Sequence, residues 1–381
     1  MTPVIIDLTE FVRAPIRSGI QRVARELIAN WPASVPVRYA SFEPSSLSLL
    51  DVSEELLSYV LELGDADNVS DAQMVQWIAE SRAAVPRIPA DIAGAKILVP
   101  EVFYPKQRIE YYRRMLERGN ATPYFIVYDL IPWLKPQSVN VVDGAGGMMP
   151  YLELIKHAPN CTFISSPVRE EYIHRVLRDP AREAAVGPAI PLGADGLKLE
   201  RQTFGRHRRT FVCIGAFDGR KSQEVVFDAF LSLPEGDRGE LVFIGRIPKD
   251  PVPALRRVLD HHGADVRILS NPTDSTIADV MSQALATFFV STAEGFGLPA
   301  VESLAAGVPV VVHQDLPAVA DLSDAGQLRL ATIDVESIAG AMRTLLTDTG
   351  AKAIWSGAAK QHPQNWNQYV RRVADWMTGE A

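Results

Sequence analysis

Nine short apolar runs punctuate the chain: VIIDL (4–8), KILVP (96–100), YFIVYDL (124–130), CTFIS (161–165), FVCIGAF (211–217), LVFIG (241–245), VRIL (266–269), ATFFVS (286–291) and VPVVVH (308–313). Most are apolar throughout instead of alternating, the pattern of parallel strands covered on both faces. Helical spacing fills the intervals. Over 20–31, Ile20, Val23, Ala24, Leu27, Ile28 and Trp31 recur every three or four residues, and Val225, Val226, Ala229, Phe230 and Leu233 repeat the pattern. Strand and helix in alternation predict a doubly wound α/β architecture. Residues 187–210, GPAIPLGADGLKLERQTFGRHRRT, are rich in Gly, Pro and charge and separate two strand series. The expected domains are therefore 1–195 and 205–362, followed by a helical segment over 363–381. That segment carries Trp366, Tyr369, Val370, Val373 and Trp376, so it must dock on one of the two domains, and folding back onto the N-terminal one is an option.

Composition narrows the class. A chain of 381 residues suits two domains that each hold a core. With 47% apolar and 22% charged residues it is neither disordered nor fibrous. The longest strongly apolar stretch without charge, Met281 to Ala293, falls short of the ~20 residues that span a bilayer. Acids in the opening MTPVIIDLTE are unlike a secretory signal, so a cytoplasmic protein is expected. A net charge of −8 argues against nucleic acid as partner. Cys161 and Cys213 sit inside apolar runs and read as buried thiols, and no Cys/His cluster has zinc spacing. Charge is uneven: 51–80 holds acids and no base, whereas 106–118 is basic. There Tyr104, Tyr111, Tyr112 and Met115 interleave with Lys106, Arg108, Arg113, Arg114 and Arg118. This fits either a helix on the inner face of the plasma membrane or an ordinary amphipathic helix whose Glu110 and Glu117 pair with its arginines.

Chemistry is sought beyond the carboxyl ends of the strands, where helix starts attract anions. Three segments qualify. In Ser291-Thr292-Ala293-Glu294-Gly295-Phe296-Gly297-Leu298-Pro299, two glycines and a helix-starting proline leave backbone amides open to an anion, between Glu294 and Glu302. A plain strand, turn and helix with a capping glutamate has the same pattern. In Gly215-Ala216-Phe217-Asp218-Gly219-Arg220-Lys221-Ser222, two adjacent cations at a helix start oppose the macrodipole unless an anion lies between them. Two solvated loop charges are the alternative. Arg17-Ser18-Gly19-Ile20-Gln21-Arg22, the third, offers a glycine at the first helix.

EGFGLPAVESLAAGVPVV resembles the E-x7-E signature of the family 4 retaining glycosyltransferases, which have the GT-B fold of two Rossmann-like domains facing across a cleft. IGAFDGRKSQEVVFDAF resembles the family's diphosphate loop in the variant with adjacent Arg and Lys. LVFIGR, VYDLIPWLKP, SSPVREEYI, IPLGAD and SGIQRVARELI follow the family's order and spacing, while 40–95 matches nothing familiar. The resemblance implies an N-terminal acceptor domain and a C-terminal donor domain. Glu294 would hold hydroxyls of the donor sugar, with backbone around Gly295, Phe296, Gly297 and Leu298 contacting sugar and phosphate. Glu302 would accept from the ribose diol, Arg220 and Lys221 would clamp the diphosphate, Gly19 would approach it, and Arg246 would border the nucleotide. Two positions depart from the pattern. Tyr128 stands where many members have His, leaving Asp129 as the polar group near the transferred sugar, and Ala318 stands where Glu is frequent.

The implied activity is retaining transfer of a hexose or deoxyhexose from a nucleotide-diphosphate sugar to a hydroxyl of a glycan or lipid-linked acceptor, as in cell-surface polysaccharide synthesis. The Arg-Lys variant leans toward GDP-mannose. No cofactor and no metal are implied, since the two cations neutralise the leaving group. The Asp65-Ala66-Asp67 triplet lies in an acidic helical stretch and reads as surface. Gly144-Ala145-Gly146-Gly147-Met148-Met149 lacks the third glycine of a dinucleotide fingerprint. A non-catalytic sugar-nucleotide binder and a GT-B epimerase remain as alternatives.

Overall fold

A computed structural model of the chain describes residues 4–379 other than 17, 66–68, 85, 136–143, 184, 206–207 and 250–251, and leaves out the side chains of 65, 71, 144–146 and 180. Unit 1 comprises Met1–Leu192 with Trp366–Ala381, and unit 2 comprises Gly193–Asn365.

Unit 1 runs β1 (Val4–Asp7), α1 (Gly19–Asn30), β2 (Val37–Glu43), β3 (Ser48–Asp51), α2 (Glu54–Asp65), α3 (Asp71–Ala84), β4 (Lys96–Val99), α4 (Lys106–Arg118), β5 (Thr122–Val127), α5 (Ile131–Leu134), α6 (Gly144–His157), β6 (Cys161–Phe163), α7 (Ser166–Glu171) and α8 (Pro180–Glu183). Helix α7 continues as a π-helical turn over Tyr172–Leu177. The strands order as β3-β2-β1-β4-β5-β6, with only the β2–β3 pair antiparallel.

Unit 2 runs β7 (Thr210–Ile214), α9 (Gln223–Leu231), β8 (Glu240–Ile244), α10 (Pro253–Leu259), β9 (Val266–Leu269), α11 (Asp274–Gln283), β10 (Ala284–Phe289), α12 (Leu298–Ala305), β11 (Val310–His313), β12 (Gln327–Leu330), α13 (Val335–Leu346) and α14 (Asp348–Ala358). Its strands order as β12-β11-β10-β7-β8-β9, all parallel. Each sheet thus has the doubly wound order in which the chain reverses direction once, at β1/β4 and at β7/β10, opening a crevice at the carboxyl ends of those strands.

Three strands escaped the apolar-run reading: β2, β3 and β12. Each lies at or next to a sheet edge, and β12 buries only Gln327 of its four residues. In α1 the buried face is turned to take in Gln21 with Val23, Ala24 and Leu27, and Trp31 is the C-cap. The final helix, α15 (Trp366–Thr378), buries Trp366, Tyr369, Val370, Val373, Ala374 and Met377 in unit 1, packed with α1. Trp376 stays half-buried and meets the Tyr124 ring edge-on at 5.0 Å. Lys96 Nζ donates to the Met377 carbonyl. Both cysteines are buried and free, and burial pushes each thiol up to about 12, so neither is a nucleophile at neutral pH.

The basic run folds differently from a surface helix with all its charges in water. Glu110 pairs with Arg113 and Arg114, and Glu117 with Arg113, on the exposed side of α4. Ile109, Tyr112 and Met115 lie in the unit 1 core. Arg108 is buried with them. Its Nε and Nη2 donate to Asp7 Oδ2 at 3.2 and 2.8 Å, and Nη1 to Glu10 Oε1 at 2.9 Å. Its guanidinium also lies 4.2 Å over the Phe103 ring. Asp7 accepts further from the Thr9 amide at 3.1 Å, the Thr9 hydroxyl and the Tyr112 hydroxyl. Glu101, one residue past the Pro100 that ends the β4 run, accepts from the amides of Glu10 and Phe11 at 2.8 and 2.7 Å. Burial pushes Glu101 up to about 8 against the pull of Arg108. This buried ion cluster fills the β1/β4 crevice and ties the loop after β1 to β4 and α4.

Candidate functional site

In unit 2 the equivalent crevice, at β7/β10, carries the charged groups that the motifs singled out. Gly215 and Gly245 follow β7 and β8, and a Cβ on Gly245 would sit 1.9 Å from the Gly215 carbonyl oxygen. Only glycine permits that approach, which lets Phe217 N donate to the Arg246 carbonyl at 2.9 Å. The loop then tightens into a single 3₁₀ turn, Gly219–Lys221. Asp218 caps it, accepting from Arg220 N and Arg220 Nε, each at 2.9 Å. Ser222 takes a left-handed conformation, φ 52°, and α9 begins after it, with Gln223 Nε2 donating back to the Ala216 carbonyl at 2.9 Å.

The loop after β10 is laced to this turn. The Arg220 carbonyl accepts from Thr292 N at 2.8 Å, Ser291 Oγ at 3.1 Å and Thr292 Oγ1 at 3.2 Å. Arg220 Nη1 donates to the Ala293 carbonyl at 2.9 Å and lies 3.6 Å from Glu294 Oε1. Lys221 Nζ makes a short ion pair with the same carboxylate oxygen and sits 4.5 Å over the Phe289 ring. The side chains of Lys221 and Glu294 are 12% and 11% exposed, so this pair is largely shielded from solvent screening. Two cations here face two carboxylates, Arg220 pairing with Asp218 and both cations with Glu294, so the cluster is charge-balanced before an anion arrives.

The segment that follows is backbone-rich. Gly297, φ 117°, precedes α12 without a side-chain cap, and a Cβ there would lie 2.9 Å from Leu316 Cδ1 and 3.1 Å from Phe289 Cε1. A wider residue would therefore push the helix start away from the crevice. Phe296 is buried, and its carbonyl accepts from Ala318 N at 3.0 Å, so what it can offer a ligand is backbone. Gly295 precedes it, and Leu298 and Pro299 open α12. Glu302 is buried one turn into that helix. Ala318 is buried in a short turn and supplies no carboxylate. Arg246 stands exposed past the end of β8, with no ion pair among the described residues.

Unit 1 holds the remaining expected residues. Gly19 is exposed at the first position of α1, where the Ser18 hydroxyl caps Gln21 N at 3.3 Å. Arg17 and the 65–67 acidic triplet lie outside the described side chains. Gly144 to Met149 fall within α6. Asp129 is half-buried and caps α5 through Ile131 N at 3.0 Å. Tyr128 does not face solvent in place of the family's histidine: it is 5% exposed, and its hydroxyl donates to the Pro100 carbonyl at 2.6 Å. Burial holds that phenol well above its ordinary range. Tyr128→Phe should therefore cost ~1 kcal/mol of stability in chemical denaturation and leave the turnover rate unchanged; a large rate loss at unaltered stability would show a catalytic phenol.

Residues missed in the sequence are Asp218, Ser291, Thr292 and Phe289, which orient Arg220 and Lys221. Asp218 had a legible signal, an Asp heading a turn two residues before the Arg it caps.

A family profile described as Glycosyl transferases group 1 matches residues 198–373. The serotype-specific mannosyltransferase WbdA of Escherichia coli is 28% identical over 336 residues, 82% of this chain and 39% of that protein. A second WbdA sequence is 26% identical over 226 residues, 53% of this chain and 27% of that protein. The chain thus spans only 27% to 39% of the length of these curated relatives. Among solved structures, sucrose-phosphate synthase from Thermosynechococcus elongatus matches with a TM-score of 0.67 at 17% identity, covering 100% of this chain and 99% of that one. Anabaena HepE in complex with UDP matches with a TM-score of 0.67 at 14% identity, covering 100% of both chains. These likenesses show a GT-B fold.

Proposed function

We propose that the chain is a group 1 glycosyl transferase of family 4 that moves mannose from GDP-mannose to a hydroxyl of a glycan or lipid-linked acceptor, with retention of anomeric configuration. The observation that carries the donor site is the Arg220–Lys221 pair held against Glu294 at the carboxyl ends of β7 and β10. The similarity to WbdA mannosyltransferases and the adjacent Arg-Lys motif support mannose.

In this reading the diphosphate docks on Arg220, Lys221 and the open amides before α12. Lys221 then exchanges Glu294 for phosphate, and Glu294 turns its oxygens to the sugar hydroxyls, which only donate to a carboxylate. Glu302 takes the ribose diol, Arg246 flanks the base, and backbone from Gly295 to Leu298 contacts sugar and phosphate. In unit 1, the family resemblance assigns Gly19 to the diphosphate and Asp129 to the transferred sugar. The C1–O bond to the diphosphate breaks as the acceptor oxygen attacks the same face, and the departing phosphate oxygen takes the acceptor proton. Charge grows on the diphosphate in the transition state, so fixed cations lower the barrier more than they tighten the ground state.

A thermal-shift panel of GDP, UDP, ADP and dTDP with their sugar conjugates tests the assignment. GDP-mannose at 100 times its dissociation constant should add ~2.7 kcal/mol of stability to wild type and none to Glu302→Ala. Stabilisation by UDP-glucose alone would replace the donor, and silence from every nucleotide would remove the donor site. A second reading, a sugar-nucleotide binder without transfer, is favoured by the buried Tyr128 and by Ala318. Release of GDP from GDP-mannose on adding a glycan acceptor decides between them.

A further inference from the structure

Unit 1 contains a pocket of about 240 Å³ between the β2–β3 hairpin and α3, reached by three arginines. Arg13 comes from the loop after β1, Arg82 from α3, and Arg87 from the segment beyond it. β2 contributes Ser41 and Glu43, two residues apart and so on one face of the strand. Opposite them α3 presents Ala79, whose small side chain leaves the space open.

The charges here do not cancel. Glu43 lies 3.7 Å from Arg87 and also accepts from Ser45 N and Oγ at 3.2 and 3.0 Å. Asp51 is held by Arg38, 2.7 Å to each of its oxygens, and Glu10 by Arg108. Arg13 donates one bond, to the Phe42 carbonyl at 3.0 Å. Arg82 is half-buried and makes no hydrogen bond or ion pair among the described residues. Burial, and then Arg13 and Arg87, hold its guanidinium below the ordinary range. Three guanidinium groups thus converge on one carboxylate, Glu43, which is already engaged by Arg87 and Ser45. Repulsion of this kind, with a fork of N–H donors left open inside a pocket, is relieved by a bound oxyanion.

We propose that this pocket binds a phosphate or carboxylate group carried by the sugar acceptor. Ser41 adds a hydroxyl donor, and Glu43 limits the site to anions that can share Arg13 and Arg82. The proposal rests on the reading of unit 1 as the acceptor-binding unit, but not on the donor assignment.

The test is titration calorimetry without nucleotide, using glucose 6-phosphate, glucuronate, inorganic phosphate and glucose. The titrand is the Lys221→Ala chain, which removes one cation of the donor clamp, with and without Arg82→Gln. Glucose 6-phosphate or glucuronate should bind the single variant and weaken by about tenfold or more in the double variant. The tighter of the two names the group, and glucose should not bind. Equal affinity with and without Arg82, or binding by neither anion, overturns the proposal. Inorganic phosphate binding as tightly as glucose 6-phosphate overturns the acceptor part, because the sugar would then contribute nothing. Should Arg82→Gln fail to fold, Arg87→Gln, at a side chain 64% exposed, must show the same direction of loss. Failure of GDP-mannose to bind leaves these outcomes unaffected, so the two readings fall separately.

Discussion

Lys221→Ala should lower kcat by ~100-fold or more, about 3 kcal/mol of barrier, with a smaller change in KM. The lysine is poised for this by its surroundings. Its ammonium rests over the Phe289 ring, is 12% exposed, and is held against Glu294. A cation fixed in a shielded crevice interacts with developing charge far more strongly than one in water, and needs no reorganisation as the bond breaks. Removing it also leaves Glu294 beside Arg220 alone, at 3.6 Å. The proper control is therefore Lys221→Ala with Glu294→Gln, which removes the unpaired charge from the stability side of the comparison. Steady-state GDP release with GDP-mannose and a responsive acceptor reads the effect. A kcat within threefold of wild type would remove Lys221 from the leaving-group clamp.

The second large effect is expected in unit 1. Arg108→Met should cost ~3–5 kcal/mol of unfolding free energy and lower the midpoint of unit 1 unfolding by on the order of 10 °C. Arg108 is 1% exposed and answers Asp7, which is fully buried, together with Glu101 and Glu10. Deleting the cation strands the buried Asp7 carboxylate in a low-dielectric site, which costs far more than the pair contributes over an apolar replacement. Adding Asp7→Asn to the variant should restore part of the loss, since the amide can still accept from Thr9 and needs no counter-charge. Urea unfolding measures both. A loss under about 1 kcal/mol for Arg108→Met would mean that water reaches the cluster and solvates it.

The two crevices also show which features a linear reading can reach. Central strands such as VIID and ALATFF are wholly buried, so their composition alone marks them. β2, β3 and β12 lie at or near sheet edges, where polar residues are tolerated, and they blend into the loops. The unit 2 crevice was legible because its residues fall in two compact segments, 215–222 and 291–302, each joining a strand to a helix. The ion cluster was not. Asp7, Glu101 and Arg108 are brought together from different parts of unit 1 by the β1/β4 pairing, and Arg108 sits in a run whose other arginines do belong on the surface. The orientation of Tyr128 was hidden for a related reason. Its position one residue past β5 suggests the site, but the side chain turns inward to Pro100.

The placement of α15 has a consequence for how the chain is made. Unit 1 is interrupted by unit 2 and closes with Trp366–Thr378, whose buried face packs with α1. During synthesis, domains condense in the order in which they emerge. Here residues 4–192 leave the ribosome before unit 2, with the surface that Trp366, Tyr369 and Val373 will cover still bare. Unit 2, contiguous over 193–365, can complete itself before unit 1 does. The earlier-made unit therefore waits on the later one, and stopping translation after residue 365 would release a finished unit 2 joined to an open, aggregation-prone unit 1.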